Sequence, residues 1–269
     1  MVSTMTAALA ERAVGDWTAH LRAQGRSEGT IALYARYVTR MLTTLGMGPR
    51  EVDWADLETW LAAHRWKPST RKSAVTALHG FFAWMQTAGN RSDDPARGLT
   101  SPPQPGPCPK PMPEATLAHG LDCSDGEVWW MLRLLATTGL RRAEAAKLHR
   151  DDVAGGWARV TGKGGRTRRV PVPPDVEAWI ATRPGWVFPS PRSDGPITPD
   201  AIGKRCRRAT GMSPHTLRHR YATQAYRATH DLRSVQRLLG HASVATTERY
   251  VAWNDDELLA AASTTWLAA

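Results

Sequence analysis

Seven of the chain's 19 prolines fall within residues 100–113, TSPPQPGPCPKPMP. Each proline removes a backbone donor and turns the residue before it away from helical geometry, so no helix or central strand runs through this stretch. It reads as an extended, stiff linker. The expected organisation is a domain over residues 1–100, a linker over 101–113 and a larger domain over 114–269. A chain of 269 residues suits two compact domains and can bury its core without disulfide or metal staples.

Charge points to the partner. Thirty-five Lys and Arg face 25 Asp and Glu, a net charge of +10. The excess divides between the two parts, with 12 bases and nine acids in residues 1–100 and 23 and 16 in residues 101–269. The bases do not form a tail, which implies a basic surface on a globular body and a polyanion as partner, nucleic acid or an acidic membrane. The longest apolar run, residues 128–140, is broken by Arg133 and is too short to cross a bilayer. Residues 1–10 lack the basic start of a secretory signal, and Glu11-Arg12 ends their short apolar run, so none is expected. Cys108, Cys123 and Cys206 are far apart and include no CxxC, which argues against a disulfide framework or a zinc site and for a reduced, cytoplasmic setting.

The first part reads as helices. Ile31, Tyr34, Val38, Met41, Leu42 and Leu45 recur at helical spacing after Ser27 and Thr30, and Gly46 stops them. Trp54, Leu57, Trp60 and Leu61 repeat the pattern. Val75, Leu78, Phe82 and Met85 follow the cap candidates Ser69 and Thr70 and precede Gly89-Asn90. With a further segment around Val14, Trp17 and Leu21, a four- or five-helix domain is expected, its tryptophans serving mainly as core.

The second part is mixed. Helices are expected over 128–138 and 143–149, after Thr198-Pro199, after Ser213-Pro214, and from Asp231 to Gly240, with a further segment opening at Ser243. Residues 157–161 and 168–172 are short β-like runs around Gly162-Lys163-Gly164-Gly165, a hairpin signal. The fold class is therefore mainly α, a helical domain followed by a mixed α+β domain with a small hairpin sheet.

Each polar signal has an ordinary reading when taken singly. Arg141 and Glu144, three apart, suit a surface ion pair on one helix face. Lys163 suits a solvated turn. His215 and His219 are four apart, but HTLRH lacks the glutamate of the HExxH zinc helix, so no metal is expected. Arg159, Lys163, Arg166, Arg168 and Arg169 form one basic cluster, and Lys204, Arg205, Arg207 and Arg208 another. Both suit a solvated face or contact with phosphate.

Their order is more telling. The chain reads GLRRAE at 139–144, TGKGGRTRRVPV at 161–172, SPHTLRHRYAT at 213–223 and LLGHASVATTERY at 238–250. This succession resembles the tyrosine recombinase (phage integrase, Xer-type) family across the whole second part. The helices before it, ending SDDPARGL at 92–99, are similar to that family's core-DNA-binding domain.

The resemblance implies a role for each residue. Arg141 and Arg218 would clamp the scissile phosphate, whose transition state gathers charge on oxygens that guanidinium forks can hold. Tyr250 would be the nucleophile, since a covalent phosphotyrosyl link conserves the bond energy of the cut strand. Lys163 would protonate the departing 5′-oxygen, His215 would assist proton transfer at the tyrosine, His241 would hydrogen-bond the phosphate, and Glu144 would orient the arginine from behind. Arg166, Arg168, Arg169, Lys204, Arg205, Arg207 and Arg208 are candidate DNA contacts. No cofactor or metal is implied.

The implied reaction is site-specific recombination at double-stranded DNA sites, by a tetramer on paired sites and through a Holliday junction. An excision directionality factor or a host protein would be a further partner. Integration or excision of phage or mobile DNA is the expected purpose, with Xer-type resolution of chromosome or plasmid dimers as the alternative. The core-binding helices begin near Val14, which favours a simple, Xer-sized enzyme without an arm-binding domain. Three other readings stand beside it: a type IB topoisomerase, a non-catalytic architectural or regulatory DNA-binding protein, and an RNA-binding protein. Beyond Tyr250, Leu258, Leu259, Ala262, Trp266 and Leu267 share one side at helical spacing, and this tail is expected to dock on a neighbouring protomer.

Overall fold

The computed structural model describes residues 4–103, 109–162 and 165–240. Cys108, Lys163, His241, Tyr250, the segment from Ser243 and the C-terminal tail lie outside the described residues. The chain divides into two compact units, Met1–Gly106 and Pro107–Ala269, and each has its own apolar core.

Among the described residues, four helices build the first unit: α1 (Thr4–Ala23), α2 (Glu28–Leu45), α3 (Trp54–Ala62) and α4 (Pro68–Thr87). Local chemistry sets their ends. The Ser27 hydroxyl accepts from the Thr30 amide at the start of α2, and Gly46, at φ 67°, closes it in the left-handed conformation. Asp53 and Asp56 form a reciprocal capping box on α3. Ser69 and Thr70 do not cap α4. That helix begins earlier, with Pro68 in its first turn and Lys67 before it, because a proline there gives up only an amide that the helix leaves unpaired.

Trp17 lies at the centre of this unit, 1% exposed and edge-on to Phe81. Trp60 is the other fully buried tryptophan among the described residues. Trp66, Trp84, Trp130 and Trp179 pack against the two cores, in keeping with the expectation that the tryptophans serve mainly as core. Trp54 and Trp157 are 48% and 41% exposed, and the remaining described ones are half-buried. A large ring carrying an N–H settles readily at the boundary between core and solvent.

The second unit runs α5 (Glu114–Asp122), α6 (Gly126–Thr138), α7 (Arg142–Ala146), a 3₁₀ turn (Arg150–Asp152), β1 (Val153–Ala154), β2 (Trp157–Thr161), β3 (Thr167–Pro171), α8 (Pro174–Ala181), α9 (Pro199–Thr210), α10 (Pro214–Thr229) and α11 (Leu232–Leu239). The strands form an antiparallel sheet in the order β1-β2-β3. The β2–β3 pairing sets Ala158 opposite Val170, Arg159 opposite Arg169 and Val160 opposite Arg168. Successive side chains alternate between faces. Ala158, Val160 and Val170 are buried, so Arg168 shares the inner face with them and Arg169 faces outward.

The helices that carry the site are capped as their sequence dictates. Thr198 accepts from the Ala201 amide ahead of Pro199, and Gly211 ends α9. Asp231 accepts from the amides of Arg233 and Ser234, and Gly240, at φ 64°, ends α11. Helix α10 starts at Pro214, which places His215 and the amides around it in the first turn.

Candidate active site

A cleft of about 440 Å³ opens where the first turns of α7 and α10 meet. Arg141, Arg142, His215, Arg218 and Arg207 line it, with Ser213 and Pro214 at its edge. The first turns of two helices border this space, and the positive end of the α10 dipole favours an anion there.

The bend between α6 and α7 builds one wall. Gly139 ends α6 at φ 61°, and a Cβ there would run into the Tyr221 ring. Only glycine meets both demands. Its carbonyl accepts from Nη1 of Arg218 at 2.6 Å, while Nη2 of Arg218 donates to the Leu239 carbonyl at 2.7 Å. Arg218 is 1% exposed and is thereby fixed between the end of α6 and the end of α11.

Arg141 precedes α7 with extended backbone, φ −69° and ψ 148°. Its contact with Glu144 is therefore a capping contact and not a pairing along one helix face. The carboxylate accepts the Arg141 amide at 2.8 Å and its guanidinium at 2.8 Å. The side chain of Arg141 stays about one-third exposed.

Glu144 is held from a second direction. Arg168 Nη1 and Nη2 donate to its two carboxylate oxygens, each at 2.8 Å. Burial alone would raise the carboxyl's pKa, but the hydrogen bonds and charge of Arg168, then the bonds from Arg141, outweigh it and bring it down to about 2. The candidate DNA contact Arg168 is thus turned inward, 12% exposed and spent on Glu144. The alternation of buried Val170 with its neighbours along TRRVP was the signal that this arginine faces the core.

His215 reaches solvent at the mouth of the cleft. The partial enclosure of its ring, with the charges of Arg218 and Arg141, holds the imidazole below the usual value of 6.5, so it is neutral at pH 7. It meets His219 edge-on, 4.7 Å between centroids. Among the described residues no group of three or more His, Cys, Asp or Glu could hold a metal.

The other basic candidates scatter. Arg207 lines the cleft and Arg208 is exposed beside it on α9. Lys204 lies 3.9 Å from Asp200, and Arg205 is paired with Glu127. Arg166 is exposed, and Arg169 lies over the Trp157 ring at 4.6 Å. Arg142, which also lines the cleft, was not singled out from sequence, although its place beside Arg141 at the helix start points there.

Comparison with known proteins gives the family and the fold. The phage integrase family profile matches residues 118–257. The tyrosine recombinase XerD of Vibrio cholerae is 29% identical, with 84% of this chain and 86% of the relative covered. The tyrosine recombinase XerC of Nitrobacter winogradskyi is 33% identical, with 90% and 89% covered. A lambda integrase tetramer bound to a Holliday junction has a similar fold, with a TM-score of 0.74 at 15% identity, over 90% of this chain and 77% of that one.

Proposed function

The chain belongs to the phage integrase family, as a tyrosine recombinase, and from that premise we propose that it cuts and rejoins DNA at specific sites through Tyr250. The observation that carries this reading is the cleft itself, which Arg141 and Arg218 line beside the N-terminus of α10. A phosphodiester entering it meets two guanidiniums at the positive end of α10, the charge that a pentacoordinate phosphate needs. Arg218 is buried and braced, so it is preorganised for that charge.

In the proposed reaction the Tyr250 oxygen bonds to phosphorus and the bond from phosphorus to the 5′-oxygen breaks. The phenol proton passes to His215, whose depressed pKa leaves it neutral and able to accept. The 5′-oxygen takes a proton from Lys163, and His241 donates a hydrogen bond to the phosphate. One ester replaces another, and a 5′-hydroxyl from the partner duplex reverses the step. Residues 1–100 serve as the core-DNA-binding domain and 114–269 as the catalytic domain. Four protomers assemble on two paired sites, with strand exchange through a Holliday junction, in the cytoplasm.

The Xer relatives, matched over 84–90% of this chain, favour resolution of chromosome or plasmid dimers as a second purpose beside integration. The test starts from a DNA site recovered by selection of random-sequence duplexes on the full-length protein. A plasmid carrying two copies of that site should yield recombined circles and Holliday intermediates. Relaxation of a single-site plasmid without exchange would overturn the reading in favour of a topoisomerase. Resolution of direct repeats with no added factor supports the dimer-resolving role.

A further inference from the structure

Three parts of the candidate site converge on one inward-facing side chain, Arg168. Arg168 projects from β3 to the inner face of the sheet. Its Nη atoms take both oxygens of Glu144, and its Nε donates to the Leu238 carbonyl at 3.2 Å. Its stem runs against Gly240, where an added Cβ would stand 2.5 Å from its Cδ. Arg218 takes the next carbonyl along, that of Leu239. The last carbonyls of a helix have no partner within it, and here two guanidiniums hold two consecutive ones.

We propose that Arg168 is a positioning residue that sets the Arg141 guanidinium through Glu144 and fixes the exit of α11, from which the chain continues to His241 and Tyr250. This rests on the proposed cleavage role of the cleft. With all three nitrogens engaged and 12% exposure, Arg168 acts within the protein, while its neighbour Arg169 faces outward. The groups facing Glu144 are Arg141 at the start of α7 and Arg168 on β3. Among the described residues, the nearby end of β2 brings the uncharged Gly162. Without Arg168, burial leaves the carboxylate with one cationic partner, and its protonation would release Arg141.

The test uses the full-length protein, the variants Arg168→Met and Arg168→Lys, and a nicked duplex cut from the selected site. Half-site affinity, its salt dependence and the single-turnover rate of covalent protein–DNA linkage are measured from pH 5 to 8. Arg168→Met should bind as the wild type does, with the same salt slope, and form the linkage about a hundredfold more slowly, the effect of misplacing a group by roughly 1 Å. The acid limb of its pH–rate profile should move upward relative to the wild type, because protonation of Glu144 adds to the shared titration of His215. Arg168→Lys keeps the charge and should restore the wild-type limb with part of the rate.

A wild-type rate in Arg168→Met would overturn the proposal. So would a weakened affinity whose log–log salt slope drops by about 0.9, which marks a lost phosphate contact. If the Met variant fails to fold, Arg168→Lys decides alone, and a full wild-type rate there would sink the idea. A wild-type protein that forms no linkage at all overturns the cleavage reading and this proposal with it. Linkage by the wild type with no effect of Arg168 overturns this proposal only.

Discussion

Replacing Glu144 with Gln should weaken the second unit in a pH-dependent way. Volume is conserved, so no cavity opens. What changes is charge. The Arg168 guanidinium, 12% exposed, loses its counter-ion, and one of its donors meets the N–H₂ of the substituted amide where it met an oxygen. Breaking a buried pair from one side costs about 3–5 kcal/mol. The pKa gives a second route to the magnitude. Glu144 falls from an ordinary 4.5 to about 2 on folding, and at ~1.4 kcal/mol per unit this amounts to about 3 kcal/mol.

The sign follows from a depressed folded value. The contribution is complete above the unfolded pKa and disappears as pH falls from 4.5 toward 2. At pH 3 the gap between wild type and Glu144→Gln should therefore shrink by roughly 2 kcal/mol relative to pH 7. Urea unfolding at pH 7, 5 and 3, with amide protection in α6 and α10 read by mass spectrometry, scores this unit apart from the first. A variant within ~0.5 kcal/mol of wild type at pH 7, or a gap that does not change with pH, would refute the reasoning.

Other expectations follow from the same contacts. Gly139→Ala should cost at least about 2 kcal/mol, from left-handed strain plus collision with Tyr221, and urea melts measure it. Arg141→Ala should retain half-site binding and slow DNA cleavage about a hundredfold or more in single-turnover assays, as should Arg218→Lys. Lys163→Ala should regain much of its lost rate on a substrate whose 5′ leaving oxygen is sulfur, which departs without a proton; no regain would limit Lys163 to phosphate binding.

Much of the architecture is legible because short-range chemistry determines it. Ser27, Thr198 and Asp231 cap the helices that their positions announce, and Gly46, Gly211 and Gly240 close them. The hairpin strands fall within one residue of their expected bounds. Helices α5 and α8 were not anticipated, since both are short and follow a proline without a side-chain cap. In the site, the motifs name Arg141, His215 and Arg218, and all three line one cleft. The motifs do not disclose who holds whom. Arg168 and Glu144 are 24 residues apart, and their pairing depends on how the sheet's inner face meets the start of α7. A basic cluster read along the chain is divided by the pleat, with Arg168 committed inside and Arg169 left to the surface.

The central claim is that Tyr250 attacks DNA, and covalent trapping tests it most directly. A duplex carrying the selected site, nicked beside the cleavage position so that the short 5′-hydroxyl fragment diffuses away, should accumulate protein joined to its 3′ phosphate. Peptide mapping should place that link on Tyr250, and Tyr250→Phe should bind the same duplex with equal affinity and yield no linked product. Equal trapping of the Phe variant, or a link mapped to another residue, would contradict the account.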